Sequence, residues 1–274
     1  MVNTLTIFFC VITLLVTLVL PVAVLILFCR KHRKCGILSA WLLGAAGFFV
    51  PQILIRLPVL TALQTQGWFV SFSRNHLFGY AFSMAFTAGL FELAGRFAVA
   101  KLLRRNLNYR RALAAGLGHG SIEAMILVGM TYVNNLIYIA MINSGSFDAL
   151  LAQTAAAGID ISQLELIRTQ FLTMSPVVFL LAGYERILTM AAQAAMSMIV
   201  CYGVAQKKVL PALLVCLGIH TLLDLTAGLS MVLPQNILYP VMYTILTAAA
   251  VNSLLILRKF RQTWTETEVF HDAL

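Results

Sequence analysis

From Thr4 to Phe28 the chain runs through 25 residues without a charge, and a helix of about 20 apolar residues already crosses the hydrocarbon core of a bilayer. Comparable runs follow at about Gly36 to Leu60, Leu77 to Leu103, Ala112 to Ile142, Pro176 to Ala205, Val209 to Leu233 and Ile237 to Leu257. In lipid the backbone must satisfy its own hydrogen bonds, which a helix does within one segment. These runs therefore predict an all-α fold, a polytopic membrane helical bundle of about seven transmembrane helices, with Pro51 breaking the second. The chain is 61% hydrophobic and 11% charged, against roughly 25% charged in a soluble domain. A soluble globule of this size could not cover so much apolar surface. No polar stretch is long enough to build a separate domain. Residues 1–274 thus predict a single integral membrane domain, with the helices of a candidate site at about 77–257 and an external loop at about 143–175.

The formal net charge of +9 would suit a nucleic-acid binder, but its placement excludes that class. Lysines and arginines cluster at span ends: Arg30, Lys31, Arg33 and Lys34; Arg104, Arg105, Arg110 and Arg111; Lys207 and Lys208; Arg258, Lys259 and Arg261. The opposite connections hold only Arg74 and Arg168. This is the positive-inside pattern, and it predicts an N-terminus outside, a C-terminus inside, and anionic lipid headgroups as partners. The first span is followed by its charges rather than preceded by them, which predicts an uncleaved helix and not a signal peptide. Cys10, Cys201 and Cys216 fall within spans, and Cys29 and Cys35 flank a basic cluster on the reducing side, so no disulfide framework is expected. In the external loop, Asp160 as N-cap with Gln163 at the third helical position, then Ile161, Leu164, Ile167 and Phe171, predict a helix lying over the mouth of the bundle.

Of only ten acidic residues, Glu92, Glu123, Glu185 and Asp224 lie inside spans, together with His119, His220, Arg56, Arg96 and Arg186. A charge near a span centre costs about 2.5–3.5 kcal/mol on insertion scales, so these groups face the bundle interior. Glu92 and Arg96, His119 and Glu123, and His220 and Asp224 each stand four residues apart on one helix face. Glu185 and Arg186 share a face with Gln193. Glu92 is 12 residues from Arg104, Glu123 is 12 from Arg111, and His220 is 12 from Lys208. At a rise of 1.5 Å per residue that is roughly 18 Å from a basic boundary in each case, a common depth on three helices. Gly116, Gly118 and Gly120 around His119 allow close approach of a helix or a substrate backbone.

Two chemistries fit such a set. A buried carboxylate can act as general base on water while histidines stabilise an oxyanion. Alternatively, histidines and carboxylates can hold zinc, although no His-Glu-x-x-His motif is present. A structural role also fits, with Glu92–Arg96 and Glu185–Arg186 as ion pairs that lock the bundle.

The run Phe91 to Arg96, Gly118-His119-Gly120 to Glu123-Ala124, Glu185-Arg186 and His220 to Asp224 resembles the YhfC family of intramembrane metalloproteases. That family is grouped with the type II CAAX prenyl proteases, the PrsW-type proteases and the Aph subunit of gamma-secretase. The resemblance implies a membrane-embedded glutamate and histidine site that hydrolyses peptide bonds of a membrane-embedded or membrane-proximal substrate, in a bacterial cytoplasmic membrane. Phe91 stands where the prenyl proteases carry the first of two glutamates, and Gln193 where the relatives place a histidine. The expectation is an intramembrane peptidase with Glu123 as base. His119, His220 and Asp224 would position water, stabilise the oxyanion or bind metal, with His119, His220 and Glu123 as the zinc ligands. Glu92, Arg96, Glu185, Arg186 and Gln193 would order these groups. A non-catalytic scaffold like Aph and a proton-coupled carrier are the other classes, and against the carrier no repeated half-structure is visible.

Overall fold

In the computed structural model, which describes residues 1–32 and 36–271, seven helices are long and apolar enough to cross a membrane. They are Thr4–Lys31, Ile37–Leu63, Leu77–Asn106, Tyr109–Ser144, Val177–Ala205, Val209–Met231 and Gln235–Trp264, and they serve below as the first to seventh spans. Among the described residues there is no strand. Arg33, Lys34 and Cys35 of the first basic cluster lie outside the described residues. Even the shortest span, at 23 residues, is about 35 Å long, enough for a hydrocarbon core of about 30 Å. Burial is inverted relative to a soluble protein. Leu27, Leu210, Leu222 and Leu254 are more than half exposed, whereas Glu92 and His119 are 3% and 1% exposed. An apolar exterior around a polar interior is what a bilayer solvent selects. The protein is an integral membrane protein.

Pro51 does not break the second span. The helix widens instead into a π-helical stretch over Phe49–Arg56. A proline ring collides with the carbonyl one turn back and supplies no N–H. A wider turn relieves the collision and keeps the helix continuous. Similar stretches occur at Leu15–Val19 and Ala124–Gly129.

The connections hold more helix than the sequence pattern predicts. The link between the second and third spans contains the helix Gly67–Asn75. The expected external loop is built from two short helices, Ser146–Ala156 and Ser162–Thr173. The second starts two residues after Asp160, which accepts the Ser162 N–H at 2.9 Å and its hydroxyl at 2.8 Å. Those bonds hold the Asp160 carboxyl below its ordinary pKa.

The chain divides into two compact units. The first comprises Met1–Val24 and Ala124–Ile187. In it Thr13 and Tyr132 both donate to the Phe179 carbonyl, at 2.7 and 2.8 Å. Phe171 of the short helix Ser162–Thr173 stacks on Phe179. Arg168 and Asp148 pair at 2.6 Å between the two short helices, both well exposed. An exposed pair of this kind contributes about 0–1 kcal/mol. Arg168→Ala is therefore expected to shift the unfolding free energy by less than about 1 kcal/mol, as measured by equilibrium unfolding in mixed micelles.

The second unit comprises Leu25–Glu123 and Leu188–Leu274. Residues 192–198 of the fifth span are buried all round, so this helix is central, and alanines at 192, 194 and 195 let its neighbours close on it. The second span sits almost backbone to backbone against two others. A Cβ on Gly44 would lie 1.9 Å from the Ala115 carbonyl oxygen, and one on Gly118 would lie 2.0 Å from that of Trp41. A Cβ on Gly95 would lie 1.8 Å from the Gly47 oxygen. Small residues are what permit such contact between membrane helices.

Candidate functional site

The site lies wholly in the second unit. Glu92 of the third span is its hub. Oε1 accepts from Gln52 Nε2 at 2.8 Å. Oε2 accepts from Arg96 Nη2 at 2.8 Å, and the Nε2 atoms of His119 and His220 lie 2.9 and 2.7 Å from it. A fourth nitrogen, Gln193 Nε2, is 3.4 Å away. A carboxylate is an acceptor only, so each imidazole meets it with a proton on Nε2. Five side chains from five helices thus converge on one carboxyl group. Its charge is held far from water by Arg96, one helical turn on along the same face.

Each arm is positioned by local packing. His119 sits between Gly118, which lets the second span approach, and Gly120, whose Cβ would meet Gln193 Cβ at 3.0 Å. The glycines around His119 are therefore close-packing devices that bring the second and fifth spans to the histidine. Phe48 lies edge-on to the His119 ring at 5.4 Å and fixes its plane. Gln193 is oriented by charge. Its carbonyl accepts from Arg96 and its amide nitrogen donates to Glu123 Oε2. The amide thus turns its positive end to the carboxylates and its negative end to the guanidinium. Arg96 also donates to Ser197 Oγ at 2.9 Å.

The sequence pairs find different fates. Glu92 and Arg96 bond directly. Glu123 stands beside Glu92 and His119, and one ligand atom from each of these three lies within 4.8 Å of the other two. His220 Nδ1 is 3.4 Å from Asp224 Oδ2, whose side chain is 40% exposed, so the sixth span carries a line of polar groups from the surface to Glu92. Glu185 and Arg186 belong to the first unit, where they pair with each other. Gln52 and Ser197 join the cluster without standing out in the sequence. The available signal was a glutamine four residues before Arg56 inside an apolar run. Arg56 caps this chain of bonds, donating to the Met84 carbonyl at 2.7 Å and to Gln52 Oε1 at 3.4 Å.

The donor set fits a metal. Two carboxylates and an imidazole are the oxygen and nitrogen ligands that suit zinc and other divalent first-row ions. Ligands of one tetrahedral zinc ion at 2.0–2.2 Å stand about 3.4 Å apart, so atoms within 4.8 Å of one another would draw together by at most about 1.4 Å.

Comparison with known proteins gives a matching result. The profile of the YhfC intramembrane metalloprotease family matches residues 16–256. A membrane protein of Bacillus subtilis (strain 168) that carries the name YhfC is 29% identical over 216 residues, covering 78% of this chain and 81% of that protein. No solved structure matches the chain.

Proposed function

Because the chain belongs to the YhfC intramembrane metalloprotease family, we propose that it hydrolyses peptide bonds of membrane-embedded or membrane-proximal substrates at the Glu92 cluster. The observation that carries this reading is the buried meeting of Glu92, His119 and Glu123, with His220 on the same Glu92 oxygen. Ionisable groups are costly in membrane interiors, so a concentration of acids and imidazoles from three helices is kept for chemistry.

Glu92, His119 and Glu123 are the residues that would hold a divalent ion, with His220 beside them. When bound, such an ion polarises a carbonyl and lowers the pKa of water. Glu92 is oriented by its five neighbouring donors. Glu123 is the base that takes the proton of the attacking water and passes it to the leaving amine. Gln193 holds the Glu123 carboxylate in place from the fifth span. His220, with Asp224 Oδ2 3.4 Å from its Nδ1, offers its Nε2–H to the oxyanion once substrate displaces it from Glu92. Arg96 holds the Glu92 carboxyl group in place through its bond to Oε2. The basic clusters support an N-terminus outside and a C-terminus inside. The Bacillus relative supports a bacterial cytoplasmic membrane.

The test is cleavage of transmembrane peptides by purified protein in liposomes, with metal content measured in parallel. Chelation should stop cleavage and zinc should restore it. Glu123→Gln should lower the rate at least about 100-fold, the usual range for a lost general base, in a protein that still folds. Full cellular function in both Glu123→Gln and His220→Ala, with no bound metal in the wild type, would overturn the reading.

A further inference from the structure

At the basic ends of the first, fourth and seventh spans the second unit forms an open cavity of about 510 Å³. Its walls bring together Lys31, His32, Arg110 and Arg261, and its floor is apolar, formed by Phe28 and Leu113. Among the described residues, none that lines it is acidic. Lys31 closes the first span, Arg110 opens the fourth, and Arg261 lies near the end of the seventh. The cavity therefore sits where spans leave the hydrocarbon, at headgroup level. We propose that it is a binding site for one anionic phospholipid, phosphate among the cations and glycerol backbone on the apolar floor. This inference is independent of the peptidase reading.

Three features single out a lipid. Basic pockets between transmembrane helices are the usual seats of anionic headgroups. A volume of about 510 Å³ lies within the roughly 300–1,000 Å³ of organic ligand sites, and is far more than a lone phosphate fills. A floor of phenylalanine and leucine suits an amphipathic ligand and offers nothing to a free anion. The local potential is positive: partial desolvation, then the charges of Arg110 and Lys31, hold the His32 pKa below its ordinary value. His32 adds an imidazole N–H donor to that wall.

The experiment is native mass spectrometry of the full chain in neutral detergent, titrated with phosphatidylglycerol or phosphatidylcholine. The double variant Arg110→Gln/Arg261→Gln is compared with Arg104→Gln/Arg105→Gln, which removes the same charge from an exposed stretch outside the cavity. The expected result is one saturable phosphatidylglycerol site, preferred at least about tenfold over phosphatidylcholine. It should weaken about 30-fold in the cavity variant, from about 1 kcal/mol per basic residue, and under about twofold in the control. Equal weakening in both variants, or no preference between lipids, would overturn the proposal. So would displacement of the lipid by equimolar glycerol phosphate, which would make a soluble phosphate the ligand. Should the cavity variant fail to fold, the lipid preference and the glycerol phosphate competition on the wild type still decide the matter.

Discussion

Glu92→Gln is expected to abolish cleavage and to destabilise the protein by about 3–5 kcal/mol, the range for leaving one partner of a buried ion pair uncompensated. Glutamine fills the same volume, so the loss comes from hydrogen-bond polarity and charge. With its amide nitrogen in the Oε2 position, the new side chain presents a donor to the three donors Arg96, His119 and His220. Flipped, it presents a donor to Gln52 Nε2, and turning Gln52 to suit gives up its acceptance of Arg56. Neither orientation satisfies all partners, and in both the Arg96 guanidinium loses its countercharge at 3% exposure. Equilibrium unfolding in mixed micelles measures the destabilisation, and metal analysis reports whether the cluster still binds an ion. A variant within about 1 kcal/mol of the wild type, well below the usual range for a lost buried partner, would contradict the role of Glu92 as hub.

The second large effect is expected at a residue with no chemistry of its own. Gly118→Ala places a methyl group 2.0 Å from the Trp41 carbonyl oxygen, a contact no rotamer can relieve because both groups are tied to backbone. The second and fourth spans must separate. Overpacking a close-fitted interior costs about 1–3 kcal/mol and more where backbone must move. The same separation withdraws His119 from Glu92 and Gln52 from Oε1, so metal binding and cleavage should fall with stability. Gly218→Ala is the matched control. A Cβ there meets nothing within 4 Å, and its unfolding midpoint should equal or exceed that of the wild type, since alanine is the better helix former. Equal behaviour of the two variants would show that the contact at Gly118 is not limiting.

The spans and the depth of the site were legible in the sequence because both depend on counting along one chain. Long apolar runs mark the helices. Glu92, Glu123 and His220, each 12 residues from a basic boundary, do converge: Glu92 Oε2 lies 2.7 Å from His220 Nε2. Pairs within a helix, such as Glu92 with Arg96, were also visible. Bonds between helices were not, because spacing along a helix says nothing about rotation of its neighbour. For that reason the bonds from His119 and His220 to one Glu92 oxygen, and the Gln193 bridge, emerge only from the packed bundle. The short helix Ser146–Ala156 was hidden for a different reason. Only Phe147 of its residues is buried, so it has almost no apolar stripe to betray it.

The widened turn of the second span has a geometric consequence. Gly47 lies against Gly95, Gln52 reaches Glu92, and Arg56 reaches Met84, all three on the third span. Gly47 and Gln52 are five residues apart, and at 100° per residue a regular α-helix would turn them about 140° away from each other. Bonding from i to i+5 in a π turn brings such residues back into line. The proline-bearing stretch therefore acts as a phase shifter. It lets one helix press its glycine edge against a neighbour and, little more than a turn further on, deliver an amide to that neighbour's carboxylate.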